Sequence, residues 1–277
     1  MTNTELKAFA FVIVLIGAVV AFWSYREELA PSQEVAITAP PEPVLEPVPE
    51  QAAPLHPVAP VEAPASGNIE ELPPLDDSDG GFLAALVDTL GAGVESLLVN
   101  EALIDRFVAT VDNLPRKQVS EKIRPVGRLA TEFSAAATDD DASFVLGSEN
   151  FKRYDALVDL LANADVDAVV AMYQRYYPLL QEAYERLGYP NDYFNDRVVE
   201  VIDHLLLTPE PSEPVQLVRP NVLFEFADPE LEALSSGQKL LLRTGNENAS
   251  RLKQVLKAWR LRLVSLRGQV DSNLAIR

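Results

Sequence analysis

Twelve prolines fall between Pro31 and Pro74 of this 277-residue chain, and they decide where it can build a core. Proline has no amide hydrogen and fixes φ, so neither a helix nor a central strand survives at that density. Valine, alanine and glutamate fill the gaps, as in Ala39-Pro-Pro-Glu-Pro-Val-Leu-Glu-Pro-Val-Pro-Glu50, with no apolar period that could pack. Residues 29–79 also carry ten acids and no lysine or arginine, so self-repulsion adds to the stiffness. The expectation for 29–75 is a disordered Pro/Glu-rich linker. At ~3.1 Å per residue it would reach on the order of 100 Å.

Folding is thereby confined to the two sides of the linker. On the N-terminal side, Ala8 to Trp23 is sixteen residues without a charge. With its neighbours it approaches the ~20 residues needed to cross hydrocarbon, and Trp23 and Tyr25 sit where interfacial aromatics belong. No small-residue cleavage site follows, so residues 1–28 read as an uncleaved signal anchor, transmembrane over about 7–25. The short head implies a cytoplasmic N-terminus and an exported C-terminal part. Gly17 and Ala21 form a small-xxx-small pair through which two anchors could meet as a homodimer.

On the C-terminal side the periodicity is helical. Residues 76–267 are expected to form a mainly α domain, a multi-helix orthogonal or antiparallel bundle with a minor β-hairpin, followed by a flexible tail at 268–277. Asp76 to Asp79 opens a first helix that Gly91 and Gly93 close, and a second covers about Leu97 to Leu114. Arg116 to Arg128 reads as a basic loop. Leu129–Ala135 and Ser143–Gly147 flank an Asp-rich turn as the hairpin, and Ser148 caps a helix to Asn163. The spacing after Asp165 (Val166, Val169, Val170, Tyr173, Tyr177, Leu180) is one helical face, with Pro178 predicting a kink near Gln174. Gly188 and Pro190 end that helix, and Asn191 or Asp192 caps the next, whose row is Phe194, Val198, Val201, Ile202 and Leu205. Short extended pieces follow at 215–218 and 222–226. Asp228-Pro229 opens a short helix, Ser235 or Ser236 another, and Asn246 caps the last, whose polar face is basic.

The hairpin Tyr176–Leu206 holds the densest chemistry. Seven of the eight tyrosines lie between Tyr154 and Tyr193. Such clusters suit a binding surface or, more commonly, a core whose hydroxyls find nearby acceptors. Asp192, Asp196, Glu200 and His204 recur every four residues on one face, which fits a solvated acidic stripe better than a cation row. The candidate binding residues are Tyr154, Asp155, Tyr177, Tyr184, Tyr189, Tyr193, Asn195, Asp196, Arg197 and His204. No catalytic residue, metal ligand set or cofactor is expected. Two histidines and no cysteine cannot assemble a His/Cys zinc set, and a net charge of −19 argues against a nucleic-acid partner.

Several runs resemble a family of bacterial proteins known only as domain of unknown function 3014. They are Val111-Asp-Asn-Leu-Pro115, Tyr154-Asp155, Tyr177-Pro-Leu-Leu-Gln-Glu-Ala-Tyr184, Gly188-Tyr-Pro190, Phe194-Asn-Asp-Arg197, Ile202-Asp-His-Leu205, Phe226-Ala-Asp-Pro-Glu-Leu-Glu232 and Gly237-Gln-Lys-Leu-Leu-Leu-Arg243. The resemblance implies a bacterial, membrane-anchored protein and carries no activity with it. The expected role is a non-catalytic adaptor of the cell envelope. It would sit in the inner membrane with a periplasmic domain, meeting the bilayer through 7–25 and an envelope protein through the tyrosine-rich hairpin. Two alternatives stay open: a small-ligand sensor, or a polysaccharide hydrolase in which Glu182 or Glu185 faces Asp196, Glu200 or Asp203.

Overall fold

Local signals place most of the helices. In the computed structural model, which describes residues 53–59, 71–127, 131–138, 143–212 and 214–266, a 3₁₀ turn at Leu75–Asp77 leads into helix α1 (Asp79–Leu90). Phe82, Leu86 and Leu90 turn inward at intervals of four, and Gly91 ends the helix with φ of 91°, a conformation open to glycine. The expected anchor and tail lie outside the described residues. Among the described residues no helix is long and apolar enough to cross a membrane.

The second helix is shorter than its apolar stripe predicts. Ala92–Leu97 is a 3₁₀ turn, Leu98 bridges to Val126, and α2 spans Leu103–Asn113. Ala102 breaks the continuity by taking a left-handed φ of 50°. That strain is held because the Asp79 carboxylate accepts the amides of Ala102 and Leu103, both at 2.7 Å. The cap comes from another helix, so no local pattern reveals it. In the basic loop beyond α2 a single 3₁₀ turn forms at Glu121–Ile123, and Arg124 is buried with its guanidinium on the Val119 carbonyl.

α3 (Ser148–Ala162) starts with Ser148 as its first helical residue, so Gly147, not Ser148, holds the cap position. It buries Tyr154, Leu157, Val158 and Leu161. Asp165 caps α4 (Val166–Arg186) through the amides of Asp167 and Ala168. The helix runs on through Pro178, which is exposed, so the missing bond falls on the solvent side. Gly188, at φ 118°, lets the chain leave α4. α5 (Phe194–Leu206) buries its whole expected row. Neither Asn191 nor Asp192 caps it. Gln181 of α4 does so from across the turn, accepting the Phe194 amide at 2.8 Å and donating to the Asp192 carbonyl at 2.8 Å.

The minor hairpin is part of a larger sheet. β1 (Ala136–Ala137), β2 (Ser143–Leu146), β3 (Val215–Val218) and β4 (Glu225–Phe226) pair antiparallel in that order. β1 begins where the expected strand ended, and β2 pairs with β3, with Phe144 opposite Leu217. Val215 and Leu217 face inward and form a small second core with Leu146, Phe226 and Leu242. The fold is mainly helical with one small four-stranded antiparallel sheet.

Two short helices and one long one follow the sheet. α6 (Pro229–Glu232) is capped by Asp228 with proline in the first turn, and α7 (Ser236–Arg243) by a reciprocal Ser235–Gln238 box. α8 (Asn246–Ser265) follows Gly245, which takes the cap position expected of Asn246. In the main core α2 packs on α1, α4 and α5, while α8 packs on α3, α5 and α7. The basic face of α8 is largely neutralised within the domain: Arg251 meets Asp159, Lys253 Glu210, Arg260 Asp203 and Arg262 Asp167. Within the stretch read as linker, Val58 and Leu72 pack against the core and Leu75 is buried in it.

α7 meets the end of α2 at a glycine. The Gly237 amide donates to the Leu114 carbonyl at 3.0 Å, and a β-carbon there would lie 2.6 Å from Leu205 Cδ2 and 3.2 Å from Leu114 O. Gly237→Ala is therefore expected to lower the unfolding free energy by about 1–3 kcal/mol in urea titration.

Candidate functional site

The last turn of α2 puts a carboxylate where an aliphatic side chain would be expected. Asp112 lies four residues after Val108 on the buried stripe, and its side chain is 2% exposed. Arg197 of α5 donates Nε to Asp112 Oδ1 at 2.9 Å and Nη2 to the Asp112 carbonyl at 2.8 Å. Arg116 Nη2 reaches Oδ2 at 2.9 Å, and the Tyr189 hydroxyl donates to the same oxygen at 3.3 Å. Arg197 also holds Glu200 at 2.7 Å. One buried acid thus joins α2, α5 and the turn between α4 and α5.

Tyrosine rings build a wall from this base. Tyr184 stacks on Tyr189 with centroids 4.7 Å apart and lies 5.5 Å from Phe194. Burial, then the charge on Asp112, raises the Tyr184 phenol above its ordinary range. Burial likewise pushes Tyr177 up to about 12, with Asp196 adding to it. Both stay neutral at physiological pH, and the Tyr177 hydroxyl donates to Gln181 Oε1 at 3.2 Å. Together Tyr184, Tyr189, Tyr193, Asp196, Arg197 and Asp112 line an open cleft of about 680 Å³.

The opposite rim comes from residues 53–59, with Ala53 and Leu55 facing the cleft. The Asp196 carboxylate accepts the amide of Leu55 at 2.9 Å and that of His56 at 2.7 Å. Asn195 donates Nδ2 to the His56 carbonyl at 2.7 Å. Asn195 is itself buried and accepts the Tyr173 hydroxyl at 3.1 Å, so its amide is aimed. Bonds to an ionised acceptor are worth roughly 1.5–3 kcal/mol each, enough to hold a short segment with little side-chain burial.

The candidate residues therefore divide. Tyr184, Tyr189, Tyr193, Asp196 and Arg197 meet at the cleft, with Asn195 and Tyr177 beside it. Tyr154 is a core residue of α3, and Asp155 lines a separate cavity of about 330 Å³, where Asn248 donates to it at 2.9 Å. His204 faces Ser235 Oγ at 2.8 Å, at the cap of α7. The four-residue acidic row is solvated only in part, since Asp192 and Glu200 are exposed while Asp196 binds amides. Sequence reasoning missed Asp112, Gln181 and residues 53–59. Asp112 had a signal, a charge in phase with Ile104 and Val108. The other two had none.

Other acids are occupied elsewhere. Glu182 pairs with Arg186, Glu185 accepts from Gln181 Nε2, and Asp203 pairs with Arg260. Neither Glu182 nor Glu185 lines the cleft. Among the described residues no group of three or more His, Cys, Asp or Glu is arranged to hold a metal.

These elements define a mainly helical domain with an aromatic cleft pinned by a buried Asp–Arg pair. Residues 103–260 match the family described as Protein of unknown function (DUF3014), and the chain belongs to that family. The match takes in Asp112 and the whole α4–α5 turn, and leaves α1 and residues 53–59 outside it. No curated protein matches the chain, and no solved structure does.

Removing the Asp112 carboxylate would take one acceptor from Arg197, which is 18% exposed and keeps Glu200 and the backbone carbonyl of residue 112. Asp112→Ala is therefore expected to cost about 1–3 kcal/mol of unfolding free energy. Combining it with Arg197→Ala should cost less than the two single losses added, as a double-mutant cycle in urea would read. A second test concerns pH. Burial, then Arg197, lowers the His204 pKa, so the fold favours neutral imidazole. The stability this supports is complete above the ordinary value of about 6.5 and falls as pH drops from there through the folded value. Melting temperatures between pH 7 and 5 should fall less steeply for His204→Gln than for the wild type.

Proposed function

We propose that this protein is a membrane-anchored, non-catalytic interaction protein of the bacterial cell envelope, and that its helical domain takes a partner polypeptide in the cleft beside the α4–α5 turn. Residues 7–25 anchor it in the inner membrane with the N-terminus cytoplasmic. The linker holds the domain in the periplasm, where tethering raises its local concentration near a partner. The observation that supports the binding role is the Asn195–Asp196 pair. These two adjacent side chains engage both the amides and the carbonyl of the bend at Leu55 and His56, beside three tyrosines.

The rival readings find less support in the geometry. A hydrolase needs two free carboxyl groups facing across the cleft, and three of the four acids lining it are engaged: Asp112 and Glu200 with Arg197, Asp196 with backbone amides, which leaves Asp192 without a second free acid to face. A sensor for a small ligand needs enclosure, whereas exposed Asn191, Asp192 and Glu200 leave this cleft open to solvent.

Photo-crosslinking in living cells tests the proposal. A photoreactive residue replacing Tyr193 should give adducts with an envelope protein, lost in the Asp196→Ala background and absent from an exposed control position such as Lys152. The full chain should fractionate with the inner membrane. Recovery in the soluble periplasm, or no adduct from position 193, would count against the reading.

A further inference from the structure

Pro54-Leu55-His56-Pro57 is a short motif with an unusual backbone signature. Proline carries no amide hydrogen, so between Pro54 and Pro57 the chain presents two N–H groups, those of Leu55 and His56. A single carboxylate takes both: Asp196 Oδ2 accepts from Leu55 at 2.9 Å and Oδ1 from His56 at 2.7 Å. Asn195 completes the set through the His56 carbonyl. These bonds address the backbone between two prolines, not the side chains. Leu55 is left 76% exposed over the cleft. The same spacing recurs at once in Pro57-Val58-Ala59-Pro60, whose Val58 packs against the core.

The receiving side is built before the segment arrives. Asn195 is fixed by Tyr173, and Arg197, on the far side of Asp196, is fixed by Asp112, so the reading groups Asn195 and Asp196 sit on a helix turn braced from both sides. Any polypeptide with two residues bracketed by prolines offers these groups the same pair of amides and the same carbonyl.

We propose that residues 53–59 are a displaceable occupant in cis, and that the ligand of this groove in trans is a Pro-x-x-Pro segment of a second polypeptide. The segment is read through its two bracketed amides by Asp196 and through the following carbonyl by Asn195. This names the partner class of the binding module and rests on that reading. Regulation follows from the layout. The cis copy is tethered and so present at high effective concentration, and a partner binds in proportion to the fraction of time the groove stands open.

The test uses the full chain in detergent and a fluorescent peptide of residues 52–61. Leu55→Pro with His56→Pro deletes the two amides of the cis segment and leaves every groove residue of α4, α5 and their turn unchanged. This released chain should bind the peptide at least tenfold more tightly than the wild type, and adding Asp196→Ala should remove at least tenfold of that affinity. A control peptide with prolines at both central positions should not bind. The inference fails if the released chain keeps its wild-type melting profile yet binds neither peptide, or if wild type and released chain bind equally. It fails also if the wild type sediments as a dimer and the released chain does not, because the occupant would then be a second copy. Persistent crosslinks from position 193 alongside a failed peptide assay would discard the proline ligand and keep the binding module. Lost crosslinks with intact peptide binding would keep the groove and its proline ligand and discard the envelope protein as the partner in cells.

Discussion

The buried contact between Asp112 and Arg197 is the constraint on which the rest of the arrangement depends. A carboxylate at 2% exposure is costly to desolvate unless its lone pairs are filled, and here two guanidinium groups and a phenol fill them. The partners come from the loop after α2, from α5 and from the turn between α4 and α5, while the acid itself belongs to α2. Satisfying one acid therefore sets the relative position of three segments at once. The cleft wall of Tyr184 and Tyr189 inherits its geometry from that requirement, because Tyr189 is both a ring in the stack and a donor to the acid.

The tyrosines of α4 use the same logic in milder form. Tyr173 and Tyr176 are buried rings with a polar end, and each finds an acceptor on a different neighbour. Tyr173 donates to Asn195 of α5, and Tyr176 to the Gly81 carbonyl of α1 at 2.8 Å, with its ring 4.9 Å from that of Phe82. Leucine in these positions would fill space without choosing an orientation. A hydroxyl with one acceptor in reach selects a rotation of the helix about its axis. The tyrosine-rich helix thus organises the core, and only its C-terminal end and the following turn contribute to the cleft.

What was legible in the sequence tracks the range over which each feature is determined. The helix limits at Leu90, Asp165, Gly188 and Asp228 are written in neighbours a few residues away, and so is the buried row of α5. The failures are long-range. Asp79 caps α2, Gln181 caps α5, and β2 pairs with β3 some seventy residues later, all through contacts that chain order does not announce. Of the candidate residues, Tyr184, Tyr189, Tyr193, Asp196 and Arg197 share one cleft because chemistry concentrates in one hairpin. Tyr154, Asp155 and His204 were drawn in by the same density and serve the core, a second cavity and a helix cap. The proline-rich stretch hid its docked residues, since composition predicts the absence of a core and says nothing of a segment that binds through its backbone.

The cap on α2 bears on where this domain begins. The segment shared with the family opens at Leu103, the residue whose amide rests on Asp79. A fragment cut at that point would expose the first amides of α2 and take away the Phe82 ring beside Tyr176. The autonomous folding unit therefore starts upstream, at or before the 3₁₀ turn that carries Leu75. Homology draws one boundary on this chain, and cooperativity draws another.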